Sequence, residues 1–283
     1  MKLKKGWVLR GLAAAAAVVF AVVAYVYLTL PDVRILATEN PKTTAFMKLR
    51  EEQAAREGRK LRHQHQWVRY SRISKNLQRA VIVAEDSRFF DHEGVDIEEI
   101  RKSIEINMAK GAAIRGGSTI TQQLAKNLYL SPSKDPLRKL KELIIARRLE
   151  AALSKARIFE IYLNVIEWGD GVWGAESAAR LYFGVPASGL SRSQAALLAG
   201  AIINPRVLNP ARPNRRLLAR QRIILDRMGG VEPPAPPPLP VPSPEEGESD
   251  PSAPDSTVPD ELPVPDESFP PVPGPADEAP PPL

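Results

Sequence analysis

The chain has 283 residues, 39 of them basic and 33 acidic, with 28 prolines and no cysteine. The missing cysteine excludes disulfides and thiol chemistry. Charge is split unevenly: residues 231–283 hold 20 prolines, 12 acids and no Lys or Arg, which leaves that tail at −12 and residues 1–230 at +18.

At the N-terminus, MKLKK and Arg10 precede Gly11–Leu30, 20 residues without a charge. At 1.5 Å per residue such a run spans about 30 Å, the hydrocarbon thickness of a bilayer. A cleaved signal peptide is the competing reading, but its apolar core is usually about 7 to 15 residues and ends in small residues. This run is longer and closes on Tyr25, Tyr27 and Leu30, so a retained anchor over 11–30 is expected. The basic flank 1–10 then stays cytoplasmic and the rest crosses. Residues 31–66 read as a membrane-proximal linker or lobe. His63 and His65 in RHQHQW are expected at the surface, since two ligands alone do not make a zinc site.

Residues 84–94 read AEDSRFFDHEG, with Glu85 and Asp86 before Phe89 and Phe90, then His92 and Gly94. Apolar surroundings disfavour a charged carboxylate and raise its pKa, which suits an acid or base. The same stretch also suits a loop whose acids cap a helix. DIEEIRKSIEINMAKG follows, with Asp96 as a cap and Ile97, Ile100, Ile104 and Met108 at helical spacing.

RGGSTITQQLAKN, residues 115–127, combines Gly116 and Gly117 with a helix on which Ile120, Leu124 and Leu128 form one line. Ser118 is expected to cap it. Free N–H groups, hydroxyls and Arg115 at that helix start suit a phosphate or diphosphate, with Lys126 as a mobile cation on the face away from the apolar line. An ordinary glycine-led helix start is the alternative; a Walker loop is excluded by the spacing.

In LRKLKELIIARRLEAAL, Glu142 shares a face with Arg138 and Lys139 and with Ile145, Ala146 and Leu149. It reads either as a surface ion pair or as a cleft carboxylate. Just before it, Ser131–Lys134 matches SxxK by chance: Pro132 lies inside it and no S-D-N or K-T-G follows. EIYLNVIEWGDGVWGAESAARLYFG reads as helix, glycine-rich turn and helix closed by Gly184. Ser191 with Gln194 forms a capping box, and Asn214 caps a last helix that Gly229 ends. No run of alternating β-branched residues and no repeat occurs, so the fold class is mostly α. The tail cannot build a core. It reads as a polyproline-biased spacer of at most roughly 160 Å, an acidic strap or a docking strip.

Taken in order, these stretches resemble glycosyltransferase family 51, the peptidoglycan glycosyltransferases, and among them the membrane-anchored monofunctional biosynthetic transglycosylases. EDxxFxxHxG matches Glu85, Asp86, Phe89, His92 and Gly94. GGSTITQQxxKN runs from Gly116 to Asn127, RKxxE lies at Arg138, Lys139 and Glu142, and ExYLN at Glu160, Tyr162, Leu163 and Asn164. The likeness covers about Trp67 to Met228. Departures are Gln194, Trp173 and Val185, none within the first three motifs.

The resemblance implies a lysozyme-like helical domain over 67–230 with a small membrane-near lobe, polymerising lipid II into β-1,4 glycan strands. It implies Glu85 as general base, its pKa raised in part by Phe89 and Phe90. Glu142 becomes the second essential glutamate, ordering the diphosphate-binding cations or a divalent metal where one is used. Arg115, Lys126, Lys139, Lys141 and Lys102, with Lys134, become the diphosphate cations, and Ser118, Thr119, Gln122 and Gln123 its hydrogen-bond donors. Asp86, Phe89, His92, Gly94, Gly116, Gly117 and Asn164 hold the frame. No cofactor or metal site is evident in the sequence. Expected partners are lipid II, the nascent strand, the bacterial inner membrane and other wall synthases or division proteins, but no nucleic acid. A lytic enzyme with Glu85 as acid and Glu142 as base, and a non-catalytic wall scaffold, are the competing readings.

Overall fold

The computed structural model describes residues 5–111, 117–131 and 135–230. Arg115, Gly116, Lys134 and the tail 231–283 lie outside the described residues.

Helix α1 (Lys5–Thr29) carries the apolar run Leu9–Thr29, of mean hydropathy 2.3, with none of it buried in the protein. At 1.5 Å per residue its length is about 37 Å, enough to cross a bilayer. Right after it, Val33 and Leu36 enter the main core around a 3-10 turn at Arg34–Ala37. Helix α2 (Ala45–Arg56) starts where the Thr44 hydroxyl accepts the Met47 N–H at 3.1 Å, and it buries Met47 and Ala54.

Helix α3 (Lys75–Glu85) is capped by Ser74 and buries Leu77, Ala80, Val81 and Ile82 completely. Helix α4 (Ile97–Lys110) starts at Asp96 as the sequence predicts and ends on Gly111. Its apolar line does not face the core: Ile97, Ile104 and Met108 are 76, 53 and 79% exposed. Helical spacing shows that a helix has an apolar face, not what covers it.

Helix α5 (Ile120–Tyr129) begins one residue later than expected. Thr119, not Ser118, is its cap, and Gln122 completes a capping box with it. The predicted line of Ile120, Leu124 and Leu128 is buried. Helix α6 (Pro136–Ala152) has Asp135 as cap and proline in its first turn. Helix α7 (Lys155–Val165) is buried almost throughout, and α5 packs against α2, α6 and α7.

The fold is mostly α, as expected, with one small sheet besides. Strand β1 (Gln64–His65) pairs parallel with β3 (Val172–Trp173), which pairs antiparallel with β2 (Glu167–Gly169). Strands this short carry no readable period-two pattern. Gly171, at φ +72°, closes the β2–β3 turn, and a Cβ there would stand 1.6 Å from the Arg62 carbonyl oxygen. His65 is not a surface residue: it is half-buried in β1 with Nε2 3.0 Å from the Asn164 carbonyl oxygen. The Asn164 side chain accepts the Val68 N–H at 2.9 Å and donates to the Val68 carbonyl at 3.0 Å, as a neighbouring strand would.

Helix α8 (Ala175–Phe183) ends at Gly184. Helix α9 (Arg192–Ala201) opens on the predicted Ser191–Gln194 capping box, and α10 (Arg215–Arg227) on the predicted Asn214 cap. Helix α9 packs on both α3 and α10, and α10 also touches α3.

Candidate active site

The two adjacent carboxylates part company at the end of α3. Backbone at Asp86 turns extended, φ −161° and ψ 80°, so neighbouring side chains leave in different directions. Asp86 is buried: it accepts the Ile120 N–H at 3.0 Å and contacts His92 Nε2 at 3.0 Å. A carboxylate thus takes the place at the α5 N-terminus where the sequence suggests a phosphate. The neighbouring donors are taken as well, Thr119 N–H by Gln122 Oε1 and Gln122 N–H by the Thr119 hydroxyl. The Thr119, Ile120 and Gln122 N–H groups at that helix start are therefore engaged within the protein.

The Thr119 hydroxyl also donates to the Gly94 carbonyl at 2.7 Å, tying the 86–94 loop to α5. Gly94 has φ +81°, and a Cβ there would lie 3.2 Å from the Ala146 carbonyl oxygen, so no other residue fits without displacement. Phe89 is fully buried against Phe159, with the Lys155 ammonium 4.4 Å from its ring centroid, while Phe90 is 41% exposed. The aromatic pair thus belongs mainly to the loop's packing.

Glu85 lines a cavity of about 460 Å³ together with Asp86, Gly117, Ser118, Thr119 and Gln123. Gln123 Nε2 donates to Glu85 Oε2 at 2.9 Å, and the Tyr162 hydroxyl donates to Gln123 Oε1 at 2.9 Å. Burial pushes the Glu85 carboxyl above its ordinary range. The Gln123 bond and the Arg220 and Lys126 charges pull it back, and the Asp86 charge adds to the rise. This environment leaves a carboxylate that accepts a proton more readily than an exposed one.

Glu142 is buried at 3% exposure and pairs with Arg138 at 2.8 Å and with Lys139. Lys126 is near both glutamates. Burial draws its ammonium below the usual lysine range, the charges of Glu142 and Glu85 raise it, and Arg138 and Lys139 lower it. It is not the mobile cation the sequence suggests, being largely enclosed with the Phe46 ring centroid 5.9 Å away. A second cavity, of about 310 Å³, has Ile100, Ile104 and Leu143 on its apolar side and Ser118, Gln122 and Lys139 on its polar side. Gly117 and Ser118 line both cavities.

Of the expected diphosphate donors, Thr119 and Gln123 are engaged within the protein. Ser118 faces both cavities, and Gln122 Nε2 is buried without a partner beside the second. Lys102 is exposed and Lys141 half-buried, and neither lines either cavity. The sequence reading missed Tyr162 as a fixer of Gln123, and Arg220 and Arg227 as cavity wall. A signal for the arginines was present: seven residues apart, they share a helix side next to the apolar Leu217 and Ile224.

A helical domain with a half-buried carboxylate on one cavity, and cations grouped round a second, buried carboxylate, suits an enzyme that transfers a glycosyl group. The chain belongs to the transglycosylase family, whose model, described as "Transglycosylase", matches residues 59–229. It is 47% identical to a biosynthetic peptidoglycan transglycosylase of Laribacter hongkongensis, over 81% of this chain and 99% of that protein. Proteins of the same name from Chromobacterium violaceum and Methylobacillus flagellatus are 48% and 51% identical, over 77% and 69% of this chain and 96% and 85% of their own lengths.

Proposed function

We propose that this enzyme polymerises lipid II, the polyprenyl-diphosphate-linked disaccharide peptide, into β-1,4 glycan strands of peptidoglycan. The observation that carries the reading is that Gly117 and Ser118 line both the cavity of Glu85 and the cavity of Lys139, the partner of Glu142. The proton acceptor and the cations thereby flank the start of α5. The named relatives, biosynthetic peptidoglycan transglycosylases, agree with it.

Glu85 takes the proton from the acceptor sugar's 4-hydroxyl as that oxygen attacks the donor's anomeric carbon. A new C–O bond forms, the bond to the diphosphate oxygen breaks, and the electron pair leaves with the diphosphate. Attack opposite the leaving group inverts α to β. Lys126, Arg138 and Lys139, with Ser118 and Gln122, hold the departing diphosphate. Fixed cations stabilise such developing charge without reorganising. Glu142 keeps these cations close together in its absence. Arg115 and Lys141 remain candidates for the same group.

The residues present do not fit a resident divalent metal at Glu142. Both its oxygens are engaged by cations, and no group of three or more His, Cys, Asp or Glu among the described residues could hold a metal. The anchor α1 holds the domain beside a membrane-borne substrate, with the basic flank cytoplasmic and the domain across the membrane.

Polymerisation of labelled lipid II by purified protein tests this reading. Wild type should make long glycan, and Glu85→Gln should make none while still unfolding cooperatively, at a temperature no lower than wild type. Release of fragments from finished sacculi, without polymer from lipid II, would instead establish a cleaving enzyme.

A further inference from the structure

One wall of the Glu85 cavity is built by α10, whose side chains take no part in the proton or glycosyl transfer proposed above. Arg220 and Arg227 both line that cavity. Arg220 Nε donates to the Gly200 carbonyl at 3.0 Å, across the crossing of α9 and α10. A Cβ on Gly200 would stand 3.0 Å from Leu217 Cδ1 and 3.6 Å from Arg220 Cβ, so the glycine lets α10 approach closely enough for that bond. Among the described residues Arg220 has no other hydrogen bond or ion pair, which leaves both terminal amino groups of its guanidinium without a protein partner.

The other charges around Glu85 are committed elsewhere or carry the wrong sign. Arg88 is paired with Asp91, Asp96 and Glu98. Lys126 sits by Glu142, and Asp86, Asp96 and Glu99 are acids. Tyr162 contributes its bond to Gln123, the one charged residue of α9, Arg192, donates to the Leu225 carbonyl, and Arg227 stands exposed on the same wall.

We propose that Arg220 is a positioning residue for Glu85: fixed by the Gly200 carbonyl, its guanidinium shares the cavity with the carboxylate and keeps it ready to take the acceptor's proton. The inference rests on the reading of Glu85 as the base. Burial alone would hold Glu85 protonated to higher pH, and Arg220 is one of the two cations that oppose this. Removing its charge should therefore raise the pH at which Glu85 becomes a working base. Nearby opposite charges commonly act on this scale.

The test is the pH profile of kcat/KM for labelled lipid II over roughly pH 5 to 9, with melting curves for every variant. In Arg220→Gln the acidic limb should move up by about one pH unit. Arg220→Met should move it equally while keeping the packed stem, and so serves if the glutamine variant fails to fold. Arg220→Lys, which keeps the charge, should leave the limb near its wild-type position. Arg222→Gln removes the same charge from an exposed site on the same helix and should shift nothing. An unmoved limb in a folded Arg220→Gln or Arg220→Met protein overturns the inference, even if the rate falls at every pH. Failure of wild type to polymerise would overturn the proposed function instead.

Discussion

The Tyr162 hydroxyl donates to Gln123 Oε1 at 2.9 Å, and this bond decides which end of the Gln123 amide meets Glu85. Burial holds the Tyr162 hydroxyl far above the ordinary phenol range, so it stays protonated and can only donate to that oxygen here. Gln123 must then present Nε2 to the carboxylate. A buried residue of the core thereby fixes the orientation of a group at the cavity wall.

Tyr162→Phe tests that chain. Without the donor, Gln123 Oε1 is left unpaired, at a cost of about 1–2 kcal/mol, and the amide is free to turn its oxygen toward Glu85. Polymerisation should fall about tenfold, which corresponds to roughly 1.4 kcal/mol of barrier, chiefly in kcat. An unchanged kcat in a folded variant would show that Gln123 needs no orienting.

Glu85→Gln should have opposite effects on activity and stability. The folded-state pKa of Glu85 is raised above its ordinary value of 4.5, burial being the main cause. Its favourable contribution is therefore fully present below the unfolded pKa and is lost as pH rises through the folded one. At pH well above that window the glutamine variant should melt higher than wild type, and the gap should close toward acid pH. Melting curves at acidic and mildly alkaline pH decide it. A gap that widens on acidification would mean that the carboxylate is stabilised, not strained, by its site.

Helix caps were legible in the sequence because capping uses a short residue code that tertiary packing rarely overrides, as Asp96, Ser191 and Asn214 show. Glu85 and Glu142 were legible as acids among apolar or basic neighbours. The roles of Asp86 and Thr119 were not. Whether a helix start binds a ligand or its own protein depends on a side chain 34 residues away, Asp86 on Ile120 N–H, and no local pattern records that pairing. The outward face of α4 escaped for a related reason: periodicity counts apolar residues without showing their partners. Arg220 escaped because its helix carries several arginines, and only packing against Gly200 singles out one.

Glu142→Gln should expose the strain of the cation cluster. Lys126, Arg138 and Lys139 would crowd one another without their buried carboxylate. Breaking a buried pair costs about 3–5 kcal/mol, and the 43% exposure of Lys139 argues for the lower end. The melting temperature should fall by about 10 °C, and polymerisation should be lost. Added inorganic pyrophosphate should raise the melting temperature of the variant more than that of wild type, since it would supply the missing negative charge. An equal rise in both would mean that the cations do not form a diphosphate site.

Arg148 links the catalytic body to the end of the apolar helix. Its guanidinium lies 4.0 Å from the Tyr27 ring centroid and donates to the carbonyls of Tyr27 and Leu30. Val33 and Leu36 are buried in the main core a few residues later, so the body follows α1 without a slack tether. If α1 spans the bilayer, this attachment sets the height and tilt of the cavity over the membrane surface. Arg148→Ala removes a stacked cation and two hydrogen bonds at a partly exposed site, worth about 1 kcal/mol. The melting temperature should barely change. Polymerisation of lipid II in vesicles should drop roughly fivefold, the kinetic equivalent of about 1 kcal/mol, while the rate in detergent micelles, which impose no fixed plane, should hold. Equal loss in vesicles and micelles would show that Arg148 supports the cavity itself rather than its placement.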